Sequence, residues 1–168
     1  WSFLTADFVD STPTFSPDGG TVFVGSKDGK LYGLDKKGTK KWEPVPTAGA
    51  IVSAPALSND GKMMFVCSRD GKLYAIDTAE GKKRWSLELG GALETSPVVG
   101  PDDAIVFLRS HDSTINAISA VGGTKLWEFK PVGVVITAPA VSLDGSTIFL
   151  SSLDRKVYAI AAGAGTKK

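Results

Sequence analysis

The sequence predicts an all-β fold, a β-propeller of four 42-residue four-stranded antiparallel blades. Three observations predict it. Pro13, Pro55, Pro97 and Pro139 stand 42 residues apart without drift, each in a Ser/Thr-rich triplet (STP, SAP, TSP, TAP). Asp28, Asp70, Asp112 and Asp154 keep the same period, with Ser26, Ser68, Ser110 and Ser152 two residues ahead of them. Trp85 and Trp127 are also 42 apart, Trp42 stands one residue early, and the member due at position 169 has its counterpart in Trp1. A fixed period of about 40 residues is the signature of stacked supersecondary units.

Within each unit the elements follow in order. A short strand follows the proline, as in PALS (55–58), and is closed by SPDGGT, SNDGK, GPDDA or SLDGS. Asp and Asn side chains bond their own backbone and Gly accepts positive φ, so these stretches are hairpin turns. The second strand is VFVGS, MFVCS, VFLRS or IFLSS; a turn on KDGK, RDGK, HDST or LDRK leads to the third, LYGLD, LYAID, INAIS or VYAIA. Both strands are nearly continuous apolar runs, the pattern of burial on two faces. The fourth strand carries the tryptophan, in KKWEPV, KRWSLEL and KLWEFK. No helical periodicity appears. Such a blade buries its middle strands only between neighbours. The blades are expected at about 11–46, 53–89, 95–131 and 137–168, the last completed by residues 1–4, in a single domain over 1–168. That closure removes an exposed edge and ties down both termini.

Composition bounds the function classes. The chain has 168 residues, 42% hydrophobic and 22% charged, with a net charge of +1. That suits one core and no electrostatic targeting of nucleic acid or an anionic membrane. No apolar stretch approaches the roughly 20 residues of a membrane span. The chain opens without an initiator Met or a leader pattern, which reads as a mature or excised piece. A single Cys67 forbids an internal disulfide, and a single His111 excludes a multi-histidine metal site.

The phrase AIDTAEGKKRW (75–85), with its copies GLDKKGTKKW, AISAVGGTKLW and AIAAGAGTKK, resembles the tryptophan-docking motif of pyrroloquinoline-quinone-type (PQQ-like) propellers. The likeness covers the whole chain. It implies that Trp1, Trp42, Trp85 and Trp127 pack against the neighbouring blade's equivalent motif as a girdle. A large flat indole fills the widening gap between radial blades, and its N–H needs one backbone partner. Family members usually have seven or eight blades and this chain has four. Two chains making one eight-bladed ring, each donating residues 1–4 to the other's last blade, is the favoured expectation. Self-closure of four blades, and a fragment of a longer parent, stay open.

Quinone enzymes of that family hold the quinone over calcium with carboxylates and an Asn, often beside a disulfide between adjacent cysteines. This chain has no adjacent cysteines and no cluster of Asp, Glu and Asn in one loop. Its Asp-Gly pairs at 18, 28, 60, 70 and 144 lack the alternating acid spacing of a calcium loop. No cofactor, no metal and no catalytic residue is therefore assigned. Ser110, His111 and Asp112 are sequence neighbours in one turn, where side chains diverge, and Cys67 lies in an apolar strand.

Positions that break the repeat mark a candidate partner-binding face: Asp10, Glu94, Arg109 and His111. Arg109 stands where the other blades have Gly25, Cys67 and Ser151. The third blade also replaces Gly-Lys by Ser113-Thr114 and Tyr by Asn116. Asp10 and Glu94 alternate with Val52 and Ile136 on the connectors entering the channel-lining strands. The plain alternative is solvated loop charges, or an Arg109–Glu94 pair within one blade. Phe8, Ile51, Leu93 and Val135, on the same connectors, are expected in the core. The reading is a non-catalytic propeller module that acts as a protein or peptide interaction scaffold. The alternatives are a fragment of a quinoprotein-like (PQQ/calcium-dependent) dehydrogenase propeller, an accessory domain of a larger enzyme, and an excised blade set.

Overall fold

The computed structural model describes residues 1–168 and contains no helix. Blade 1 consists of β1 (Thr14–Phe15), β2 (Thr21–Gly25), β3 (Lys30–Asp35) and β4 (Val45–Pro46). Blade 2 consists of β5 (Ala56–Leu57), β6 (Met63–Cys67), β7 (Lys72–Asp77) and β8 (Lys83–Glu88). Blade 3 consists of β9 (Val98–Val99), β10 (Ile105–Arg109), β11 (Ile115–Ser119) and β12 (Lys125–Phe129), and blade 4 of β13 (Ala140–Val141), β14 (Thr147–Ser151) and β15 (Val157–Ala161). Every sheet is an antiparallel meander in chain order, and blade 4 has three strands.

The early Trp42 has a local cause. In blades 2 and 3 the register of the outer strand shifts between Ala75 and Ile76 and between Ala117 and Ile118. A bulge absorbs one extra residue of the outer strand. Blade 1 is one residue shorter there, and an isolated bridge, Leu34 to Lys40, takes its place. Pro44 and Pro46 lack the N–H a ladder needs, so β4 is two residues long.

The core lies between blades rather than within them. Phe23, Leu31 and Ile51 of blade 1 and its connector meet Met64, Val66, Tyr74 and Ile76 of blade 2. Phe65, Cys67, Leu73 and Leu93 meet Val106, Leu108 and Ile118. Phe107, Ile115 and Val135 meet Ile148, Leu150, Tyr158 and Ile160. Side chains of alternate residues in a strand point to opposite faces, so each middle strand feeds two such layers. Ile51, Leu93 and Val135 are fully buried as expected, whereas Phe8 is exposed, with Lys27 Nζ 5.4 Å above its ring.

The innermost strands are also tied across blades. Ser11 Oγ donates to Ser53 O (2.9 Å), Thr14 Oγ1 to Pro55 O (2.8 Å), and Ala54 N to Ser96 Oγ (3.0 Å).

The expected closure by the N-terminal strand is not formed within the chain. Residues 1–4 are not in a strand, and the fourth sheet stays three-stranded. Contacts with blade 1 hold this segment: Trp1 Nε1 donates to Lys36 O (2.9 Å), Ala6 N donates to Asp28 Oδ2 (3.1 Å), and Phe3 stands edge-on to Tyr32 at 5.5 Å. It occupies the place of a preceding blade's outer strand. At the other end of the array one face of blade 4 is bare. Phe23, Phe65 and Phe107 are each 1% exposed, and Phe149, next in the period, is 43% exposed. Leu31, Leu73 and Ile115 are buried, and Val157 is 74% exposed.

Candidate functional site

The tryptophans form one repeated joint. Trp42 Nε1 donates to Thr78 O (3.1 Å), Trp85 Nε1 to Ala120 O (3.1 Å) and Trp127 Nε1 to Ala162 O (2.8 Å), each carbonyl belonging to the next blade. Trp1 does the same to Lys36 of blade 1. Each indole lies on a glycine of that next blade, Gly38, Gly81, Gly123 and Gly165, all at positive φ. A Cβ there would stand under 3 Å from the ring. Each ring of blades 1–3 also meets its own blade's phenylalanine, at 6.3, 5.9 and 5.9 Å for Phe23, Phe65 and Phe107.

The turns of blades 1, 2 and 4 use one device. Tyr32, Tyr74 and Tyr158 donate their hydroxyls to Asp28, Asp70 and Asp154, at 2.6, 2.5 and 2.5 Å. Burial, then the hydrogen bond to its aspartate, pushes the phenols of Tyr32 and Tyr74 up to about 12. Burial raises the Asp70 carboxyl, but the bonds from Tyr74 and the backbone N–H groups of Ala48 and Lys72 outweigh it and hold it low. In the hairpins between the first two strands, the N–H of Lys62 and the hydroxyl of Ser58 lower Asp60 to about 2. The hydroxyl of Ser142 and the N–H of Ser146 do the same for Asp144. These aspartates serve as turn caps.

The four residues chosen from the broken repeat are not gathered into one cluster. Asp10 pairs with Lys27 in blade 1 at 2.6 Å. Glu94 pairs with Arg69 of blade 2 at 2.9 Å, so the expected Arg109–Glu94 alternative is not the pair that forms. The reason is the course of the connector: Leu93 N donates to Ser68 O, which lays residues 93–94 against blade 2's turn. Arg109 ends β10. Its Nε is buried without a partner and its guanidinium reaches only Ser110 O, at 3.4 Å. His111 lies beside Gly91 in a recess of about 390 Å³.

That recess, between the blade 2–3 connector and the turn of blade 3, is lined mostly by polar groups, Asp112, Asn116 and Lys130 among them. Sequence reasoning flagged Asn116 as an exception but did not see the cavity it opens. Asp112 accepts from Ser110 Oγ (2.7 Å), Thr114 Oγ1 (2.9 Å) and Lys130 Nζ (3.0 Å). Those bonds hold its carboxyl well below the usual carboxylate range. Ser110 therefore bonds Asp112 directly, with no imidazole between them, unlike a nucleophilic triad. No three His, Cys, Asp or Glu side chains stand together as a metal site. Cys67 is fully buried, and burial pushes its thiol up, the opposite of an activated nucleophile. A second recess of about 350 Å³, with Met63, Phe65 and Val121 on its apolar side and Asp60, Asp103 and Arg84 on its polar side, opens between blades 2 and 3.

The family model described as outer membrane protein assembly factor BamB matches residues 46–168. Among solved structures the chain is similar to BamB from Moraxella catarrhalis, with a TM-score of 0.81 and 18% identity over 99% of this chain and 54% of that one. It is also similar to Kuenenia stuttgartiensis hydrazine synthase, with a TM-score of 0.79 and 18% identity over 93% of this chain and 47% of that one. The chain thus spans about half the length of these relatives. No curated protein sequence matches it significantly. The chain belongs to the BamB-like family of PQQ-like propellers.

Proposed function

We propose that this member of the BamB-like family is a non-catalytic propeller module, a scaffold for protein or peptide interaction, completed as a ring by a second copy. The observation that carries the reading is the bare face of blade 4. Phe149, Leu153 and Val157 are exposed there, and the equivalents of Phe149 and Val157 are covered in every other blade by the blade that follows. A contiguous exposed apolar face on a soluble domain marks an interaction surface. Blade 1 of a second copy fits it, because residues 1–4 already stand where the missing outer strand of blade 4 belongs. A two-fold ring of eight blades then leaves no open edge. The family's namesake is an assembly factor, which agrees with a binding role. Partner recognition is assigned to Arg109 and His111 on blade 3, while Asp10 and Glu94 are engaged apart from them in ion pairs with Lys27 and Arg69.

Light scattering of the eluting protein tests this. The expected mass is twice 17.6 kDa, and Val157→Glu should give a folded species of half that mass. A wild-type monomer at all concentrations overturns the second-copy assignment. The likeness to hydrazine synthase favours a second reading, an accessory or partial domain of an enzyme. Quinone and calcium together should leave the melting temperature unchanged; a rise would overturn the non-catalytic reading, because a ligand that prefers the native state stabilises it.

A further inference from the structure

Three blades keep a tyrosine on the third strand, and each is 5% exposed: Tyr32, Tyr74 and Tyr158. Each phenol is held by the aspartate four residues earlier. In two of these blades a lysine faces the ring. Lys83 Nζ lies 5.6 Å from the centroid of Tyr74, and Lys167 Nζ lies 5.0 Å from that of Tyr158. Blade 3 keeps the aspartate, as Asp112, and the lysine, as Lys125, each 42 residues from its counterpart in blade 2. Only the tyrosine is missing, and Asn116 stands in its place.

Asn116 is too short to fill that volume. Its amide turns back on its own blade and donates to Ser110 Oγ (3.3 Å) and Thr114 O (3.2 Å). What remains is the recess of about 390 Å³ with Asp112 and Lys125 in its wall and Gly90 and Gly91 at its edge, which carry no side chain to close it. Asp112 Oδ2 accepts from Thr114 Oγ1 at 2.9 Å and from the exposed Lys130 at 3.0 Å, and Lys125 pairs with the exposed Glu128 at 2.5 Å, so an incoming hydroxyl displaces Lys130 and shares the carboxylate with Thr114. Exposed pairs of this kind are weak and give way readily.

We infer that the recess on the third blade binds a phenol, the tyrosine side chain of a polypeptide partner. The ring takes the place the sister blades fill from within, its hydroxyl donates to Asp112, and the Lys125 ammonium faces its π surface. A hydroxyl bonded to a carboxylate discriminates strongly against the ring that lacks it. That the phenol comes from a polypeptide rests on the scaffold reading; the recess itself does not.

The test is an NMR titration of the intact chain with N-acetyl-L-tyrosinamide and N-acetyl-L-phenylalaninamide. The tyrosine compound should shift the His111 and Asp112 amides saturably, and the phenylalanine compound should bind about tenfold more weakly. Asn116→Tyr fills the recess from within, so it should lose the binding while melting no lower than wild type. Lys125→Ala should weaken binding a few-fold and keeps the test decisive if Asn116→Tyr fails to fold. Equal binding of the two compounds, undiminished binding by Asn116→Tyr, or no saturable shift would overturn the proposal. A peptide that flanks the tyrosine should bind more tightly than the amide; equal affinity would overturn the polypeptide source. A monomeric mass leaves these outcomes untouched, so the two readings fail separately.

Discussion

Phe107 and Phe149 hold the same place in consecutive blades, at the middle of the second strand, and their surroundings differ completely. Phe107 is 1% exposed and packs with Ile148, Tyr158 and Ile160 of the blade that follows. Phe149 is 43% exposed, with no such blade packed on it. Val157 repeats the contrast against Ile115. Sequence and local structure are alike at the two places, so the difference arises from the neighbour alone. Stability in this array resides in interfaces between blades, as expected of a stacked repeat.

The sharpest way to break the comparison is to truncate both rings. Phe107→Ala should cost about 3–5 kcal/mol, the range for a buried phenylalanine, and leave much of the chain unfolded at 37 °C by circular dichroism. Phe149→Ala should cost the isolated chain about 1 kcal/mol, since half of the ring is already in water. Similar costs at the two positions would mean that blade 4 is already covered.

A smaller effect tests the turns, which the covered and bare blades share. The carboxyls of Asp60 and Asp144 lie near 2 in the folded chain. Their contribution is full above the ordinary carboxylate range and is lost as pH falls from about 4 to about 2. The phenols of Tyr32 and Tyr74 are raised to about 12, so theirs is full below about 10 and is lost as pH rises from about 10 to about 12. Chemical denaturation across pH should show both edges. Asn59→Ala should spare both, because its side chain bonds Pro101 and Asp103 rather than these groups.

The smallest effect sharpens the contrast within the repeat. Gly29 and Gly71 have positive φ, and Ser113 and Arg155 hold the same conformation with a side chain, at φ 69° and 68°. Left-handed backbone costs a non-glycine residue about 1 kcal/mol. Arg155→Gly should therefore raise stability by up to about 1 kcal/mol, read as a shift in the urea midpoint; a lower midpoint would mean that the arginine side chain supports the turn.

The period made the blades legible, because proline, turn aspartate and tryptophan each have a role that recurs once per unit. For Trp42, Trp85 and Trp127 the spacing set position alone; their bonds to Thr78, Ala120 and Ala162 of the next blade depend on how the blades stack. Which blade residues 1–4 complete was not legible, because sequence places Trp1 in register without saying whose strand it will pair with. Ion-pair partners were illegible for a similar reason. Glu94 lies nearer in sequence to Arg109, but the connector lays it beside Arg69. The recess at Asn116 was half legible: the missing tyrosine is plain, but the cavity depends on the Gly90–Gly91 connector that borders it.

The central claim is that a second copy covers blade 4 and supplies its outer strand. In the complete blades, Leu31 faces Val45, Leu73 faces Leu87 and Ile115 faces Phe129 across the last two strands. By the same period Val157 should face Phe3 of another copy. The double variant Phe3→Cys, Val157→Cys, oxidised and run without reductant, tests this directly; the buried Cys67 takes no part. A covalent dimer that reductant returns to monomer is the predicted result. An intrachain disulfide, or no cross-link while the fold is intact, would contradict it.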